Sequence, residues 1–249
     1  MLQELHLPGG FVALQSPLLT RLGIRHAFST RIGPGGADLS LSSDQPAHHA
    51  AWMRALGMAD LRLCDVHQVH GTALCHADAL PLGAERPHAD ALTSRDPTRA
   101  ILVRTADCVP ILLGSTDGRQ VAAIHAGWRG LAAGIIAQTI ARIGLSQGSF
   151  VASIGPCIGL AAFEVDEDVA QVFTAQGLPA DFHSWSKPHL DLATIAAHQL
   201  QAAGAAEVEN SHLCTYADAR RFFSFRRDRT HRKLAVSGHQ AALIAATGA

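Results

Sequence analysis

"AILVRTADCVPILLGS", residues 100–115, sets two short apolar runs on either side of a polar break. The run Ala100–Val103 has the pattern of a buried strand, and Val109–Leu113 is apolar again. Pro110 lacks a backbone donor, so it belongs at a sheet edge or a break. Between the runs stand Asp107 and Cys108. The thiol is either a small core residue or a group displayed at a strand end, as nucleophile or metal ligand.

Working outward, "HAFST" (26–30) reads as a strand, and "RIGPGG" after it as a glycine-proline loop carrying Arg31. Residues 46–57 have helical spacing and close on Gly57. Residues 61–71 alternate like a strand that runs out near His67–His70, and 80–92 reads as a loop. Downstream, a strand from Gln120 to His125 precedes a helix over 131–144, and "FVASIGPCIG" (150–159) is a strand ending in a turn. Helices are expected near 166–176 and 191–203, and strands at "EVENSHLCT" (207–215) and "FFSFRRD" (222–228). The tail from Lys233 suits strand or helix. Strands and helices mix without a βαβ rhythm, which predicts an α+β fold: mixed sheets packed with helices in one compact domain, residues 1–249.

Composition narrows the function classes. An apolar fraction of 48% with 16% charged residues suits a compact soluble chain rather than a disordered one. A net charge of −1 provides no field for nucleic acid or an anionic membrane surface. Only Lys187 and Lys233 are lysines among 20 basic residues; the arginine bias suits an anionic small molecule. Five cysteines, widely spaced, with no basic and apolar leader at "MLQELHLPGG", point to a reducing cytoplasm with thiols free or metal-bound.

Three segments share one feature. His70, Cys108 and His125 each sit where an apolar strand stops and a glycine- or proline-marked loop begins. Two neutral imidazoles and a thiolate match zinc with an open fourth position. The spacing of the three is no local zinc signature, so a buried thiol and two ordinary histidines remain the alternative. His67, three residues before His70, joins a metal only if that turn is helical. Asp107 either orients a ligand imidazole or caps the turn. Cys157 in "GPCIG" reads as a packed loop thiol. Arg31, Arg129 in "HAGWRG" and the basic run 224–233 offer anion contacts or solvated faces.

In order along the chain, "QVHG", "RTADCVPILL", "AAIHAGWRGL", "IGPCIG", "FEV" and "FFSFRRD" resemble the laccase-domain or polyphenol-oxidase family, over about Phe28 to Arg232. Members of that family are described as purine nucleoside phosphorylases with associated adenosine deaminase activity. The resemblance implies that His70, Cys108 and His125 bind a catalytic zinc, and in the deamination Asp107 is the candidate acid that protonates the departing ammonia. It also implies purine nucleosides and phosphate as substrates, methylthioadenosine among them, and Arg31, Arg226 and Arg227 as contacts. The chain departs from the family in the loop after Arg31, at Phe225 in place of tyrosine, and at His231 before Arg232.

Two further readings use the same residues. Cys108 as nucleophile and His125 as base would make a cysteine hydrolase acting on an amide, such as a cell-wall precursor. A copper polyphenol oxidase is disfavoured, because the only methionines are Met1, Met53 and Met58 and no His-x-His pair occurs. A structural zinc would need a fourth protein ligand, from His67 or Cys157.

Overall fold

The two apolar runs of residues 100–115 become strands of different sheets, and the polar break between them is the crossing. In this computed structural model, residues 1–81, 83, 85–234 and 237–248 are described. The first strands are β1 (Gln3–Leu7), β2 (Phe11–Gln15), β3 (Arg25–Ser29), β4 (Arg62–Cys64), β5 (Leu74–His76) and β6 (Ala91–Ser94). They are followed by β7 (Arg99–Thr105), β8 (Val109–Ser115), β9 (Val121–Ala126), β10 (Phe150–Ile154), β11 (Glu207–Asn210) and β12 (Gln240–Ala245). The helices are α1 (Pro17–Thr20), α2 (Pro46–Ala55), α3 (Trp128–Ala132), α4 (Ile135–Ile143), α5 (Glu167–Thr174) and α6 (Leu192–Ala202).

One sheet runs β1-β2-β3-β12-β7-β4 and the other β11-β10-β8-β9-β6-β5. Both are mixed: β4 with β7, β5 with β6 and β10 with β11 are parallel, and the remaining pairs are antiparallel. The fold is therefore α+β. The period of two sorts the side chains into three cores. From β7, Ile101 and Val103 meet Leu112 of β8 and Val121 and Ala123 of β9 between the sheets. Ala100 and Leu102 turn the other way, onto Trp52 and Met53 of α2. Ile111 and Leu113 of β8 and Ala122 and Ile124 of β9 pack on the far side against α4 and α6. Strands covered on both faces must be apolar throughout, which is why "AILV" and "VPILL" read as unbroken runs.

Pro110 lies in a central strand, not at an edge. Its register is His125 on β9, and its carbonyl accepts Gly155 N at 2.9 Å, just beyond the end of β10. The donor it lacks would face that side, where the ladder with β10 has run out. The expected strand 61–71 stops at Cys64, and the expected helix 131–144 is two, broken by Gly134 at φ 75°. The expected loop 80–92 leads into β6; within it, residues 82 and 84 lie outside the described residues. Only Glu207–Asn210 of 207–215 is strand. "FFSFRRD" is not a strand: Arg226–His231 forms a π-helical turn. There the side chains of Ser224, Arg227 and Asp228 bond the local backbone and displace strand pairing. The tail is strand β12, in the middle of its sheet; residues 235 and 236 of the expected segment lie outside the description.

Candidate metal centre

The site lies where the chain passes between the sheets. β7 ends at Thr105 and β8 begins at Val109, so Ala106-Asp107-Cys108 is the crossing. Asp107 takes φ 96°, a strained value for any residue but glycine. Its carboxylate accepts Arg226 N at 2.7 Å, Thr215 Oγ1 at 2.7 Å and Ser224 Oγ at 3.0 Å, and its carbonyl accepts Ile158 N at 2.9 Å. Burial pushes Asp107 upward against those three donors. The crossing is thereby clamped to the 211–226 segment, with Cys108 presented to a cavity.

Strand parity brings His125 beside Cys108. Pro110 faces His125 across the β8–β9 ladder, and Cys108 lies two residues before Pro110, on the same face. His125 is 3% exposed, and its Nδ1 meets Asp90 Oδ1 at 2.8 Å. A proton held on Nδ1 by the Asp90 carboxylate leaves Nε2 as the nitrogen that a metal would take. The third side chain, His70, comes from a loop. Asp90, fully buried, accepts Val69 N at 3.2 Å and His70 N at 2.9 Å on Oδ1, and Gly71 N at 2.7 Å on Oδ2. His70 is held there at φ 60°, with its ring edge-on to His125 at 4.8 Å between centroids. Gln68 ties the same loop to β7: its amide donates to Arg104 O at 2.7 Å and accepts Arg104 N at 2.8 Å, imitating a strand partner. The backbone of β9 continues close by. A Cβ on Gly127 would stand 3.0 Å from His70 Cδ2 and 3.1 Å from Cys108 Sγ.

The ligand atoms of His70, Cys108 and His125 all lie within 4.8 Å of one another, and no other such group of metal-binding side chains occurs among the described residues. Around tetrahedral zinc, donors at about 2.0–2.3 Å stand roughly 3.5 Å apart, so small side-chain movements close the set. The donor chemistry fits: one sulfur, two imidazole nitrogens, and an Asp90 that fixes the tautomer of one of them. Burial pushes the Cys108 thiol up, but facing His125 and His70 bring it down to about 6. Burial likewise pushes His125 down, while the Cys108 sulfur and Asp90 raise it to about 9. Without a metal the two form a thiolate–imidazolium pair.

A cavity of about 850 Å³ opens over the three side chains. Asp107, Phe163, Phe225, Arg226, Ser42, Arg86, Arg104 and His239 are among its lining residues. Arg226 is the one sequence-expected arginine on the wall, donating to Glu164 O at 3.0 Å over the Phe163 ring. Arg31 lies off it, paired with Asp38 above the Phe223 ring, and Arg129 is exposed over Trp128. Arg227 is buried, holding Asp228 and the carbonyls of Thr215, Tyr216 and Phe222. His67 lines the cavity in a non-helical stretch, stacked on His88. Cys157 is a buried, free loop thiol whose backbone makes an isolated parallel β-bridge with that of Cys214. Neither joins the ligand group.

Sequence reading missed Asp90, Gln68's clamp and the polar wall of Arg86, Arg104 and His239. Asp90 sits in "PHADAL", whose composition says loop, and only tertiary contact reveals the carboxylate. Imidazole orientation, which the sequence offered to Asp107, is performed by Asp90.

The family described as multi-copper polyphenol oxidoreductase laccase matches residues 39–247. The chain is 33% identical over 226 residues to "Purine nucleoside phosphorylase YfiH" of Escherichia coli (strain K12), covering 86% of this chain and 92% of the relative. It is 34% identical over 250 residues to a "Purine nucleoside phosphorylase" of Deinococcus radiodurans, covering 92% and 93%. Among solved structures, protein NMB0706 of Neisseria meningitidis superposes with a TM-score of 0.79 at 31% identity, covering 90% of this chain and 95% of that one. YlmD of Geobacillus stearothermophilus gives 0.81 at 25% identity, covering 95% and 96%.

Proposed function

The chain belongs to the family described as multi-copper polyphenol oxidoreductase laccase, and on that premise we propose that it is a zinc-dependent purine nucleoside phosphorylase. The observation that supports this reading is His70: a second imidazole, held at positive φ beside His125 and Cys108, makes a two-nitrogen, one-sulfur donor set where a thiol nucleophile needs only one base. His70, Cys108 and His125 would hold the ion. When bound, zinc supplies Lewis acidity beside an open coordination position. No methionine lines the cavity, and Met53 of α2 and Met58 are buried in the core against the first sheet, which supports zinc over blue copper.

In phosphorolysis, a phosphate oxygen bonds to the anomeric carbon of the ribose. The carbon–nitrogen bond to the purine breaks, its electron pair leaves on the base, and that nitrogen takes a proton. The residues of this chain bind and orient both substrates. Phe163 and Phe225, the latter 54% exposed, offer aromatic faces to the purine, with Arg226 beside them. We assign Arg226, of the three arginines Arg31, Arg129 and Arg226, to substrate. Asp107, with three donors on its carboxylate, holds Cys108 and the Arg226 backbone in place. The same site would deaminate adenosine and cleave methylthioadenosine. Residues 1–249 act in this reading as one cytoplasmic domain on small molecules, with neither nucleic acid nor membrane as partner. A net charge of −1 supports this, and among the described residues no helix is long and apolar enough to cross a membrane.

The test is turnover of inosine and phosphate by zinc-loaded protein to hypoxanthine and ribose 1-phosphate, followed by chromatography. Adenosine without phosphate should give inosine and ammonia. Absence of turnover with inosine, adenosine, guanosine and methylthioadenosine, at full zinc loading, overturns the reading.

One observation favours a second reading. Cys108, His125 and Asp90 stand in the order nucleophile, base, orienting carboxylate, with the thiol brought down to about 6. As a cysteine hydrolase of amides, the protein would be purified without zinc, and iodoacetamide would alkylate Cys108 rapidly at pH 7. Tightly held zinc that protects Cys108 from alkylation excludes it.

A further inference from the structure

The cationic side chains of the cavity fall into two contact groups. Arg226 belongs with Phe163 and the Glu164 backbone. Arg86 and Arg104 belong elsewhere, with Asp65, Ser42 and His239. Arg104, 8% exposed, donates Nε to Leu41 O at 2.9 Å and Nη2 to Asp65, while its Nη1 makes no hydrogen bond among the described residues. Arg86 meets the same Asp65 carboxylate at 3.5 Å, so one acid serves two guanidiniums. Next to Leu41, Ser42 Oγ bonds His239 Nδ1 at 2.8 Å, and His239 Nε2 has no partner among the described residues. Ser42, Arg86, Arg104 and His239 all line the cavity over the ligand group.

We propose that Arg86, Arg104, Ser42 and His239 form the subsite for inorganic phosphate, apart from the aromatic group that receives the purine; this rests on the phosphorylase reading above. Arginine forks match phosphate oxygens in geometry and remain charged at any working pH. A guanidinium that shares its acid and keeps a free Nη leaves charge and a donor for an incoming anion. Burial and the nearby Arg104 hold His239 below the usual imidazole range, so its ring is neutral at pH 7. With Nδ1 engaged by Ser42 Oγ, the Nε2–H tautomer of His239 is the one that offers a donor to phosphate. Asp44, exposed on the same rim without an ion pair among the described residues, opposes the anion and is screened by solvent.

The test compares zinc-loaded wild type with Arg86→Gln, His239→Ala and Arg226→Gln; Arg104 is too buried for its removal to be read cleanly. Initial rates are taken against phosphate and against inosine, with zinc content checked in each. Arg86→Gln and His239→Ala should raise the phosphate KM about tenfold or more and leave the inosine KM within roughly twofold. Arg226→Gln should do the reverse. An unchanged phosphate KM in the first two, or a rise in Arg226→Gln alone, overturns the proposal while the phosphorylase reading stands. If the wild type turns over no nucleoside, that reading falls by itself, and inorganic phosphate is then tested by its effect on Tm. A phosphate-dependent rise in wild type that is lost in Arg86→Gln and His239→Ala supports the subsite. A rise in none, or an equal rise in all, overturns it.

Discussion

Asp90 positions two of the three candidate ligands, His125 and His70, at once. Burial pushes its carboxylate up, yet His125 and the amides of Gly71 and His70 hold it below the usual range, so it is ionised at pH 7. Asp90→Asn keeps the size but cannot accept from three amides and His125 together. Metal affinity should fall about 10–100-fold, measured by chelator competition, with the His70 loop loosened. Proton release gives a second prediction. Between the Cys108 value of about 6 and the His125 value of about 9, the metal-free site holds one proton that a metal must displace. Apparent zinc affinity should therefore rise about tenfold per pH unit across that window and more steeply below it. An affinity flat with pH over the same range contradicts this pairing. The grouping of His70, Cys108 and His125 was legible in the sequence, although only Cys108 and His125 stand beside strand ends and His70 lies in a loop six residues past β4. Asp90 was not, because hydrogen bonds to the backbone of a distant loop leave no mark on local sequence.

The elements owe their placement to strands covered on both faces. Alternation along β8 and β9 puts Cys108 and His125 on one face, given the register that sets Pro110 opposite His125. That β7 and β8 belong to different sheets does not follow from the sequence, since both runs read alike. The crossing depends on Asp107 binding Thr215, Ser224 and Arg226, more than 100 residues away. The same bonds explain why "FFSFRRD" abandons the strand its apolar residues suggest. Gly127 shows how tightly β9 and α3 pass the site. Gly127→Ala should crowd His70 and Cys108 and lower metal affinity, with Tm changed little; equal affinity would show that both side chains yield freely. On the outer face, Trp52→Ala should cost about 3–5 kcal/mol in urea unfolding, because Trp52 is fully buried between α2 and the first sheet.

At the scale of the molecule, two mixed sheets share the core between them, and the candidate metal site sits at the end of the seam between them. The α+β class was legible from the lack of a βαβ rhythm; the pairing of β12 between β3 and β7 was not, because it joins the two ends of the chain. Acid should loosen this core. His26 is fully buried and neutral, with Nε2 accepting Ser16 N at 2.8 Å and Nδ1 donating to Ile24 O at 2.8 Å, and burial lowers it from 6.5. The unfolded chain takes up this proton first as pH falls, so the stability held above about 6.5 is lost progressively below it. His49 and His239 are lowered likewise. Urea midpoints should fall from pH 7.5 to 5.5, and less so in His26→Gln. The most direct test of the whole account is the zinc content of the purified chain, beside His70→Ala, Cys108→Ala and His125→Ala. The account predicts about one zinc per wild-type chain, lost in each variant. Full zinc retention in His70→Ala, or a wild type without zinc whose Cys108 alkylates rapidly, would contradict it.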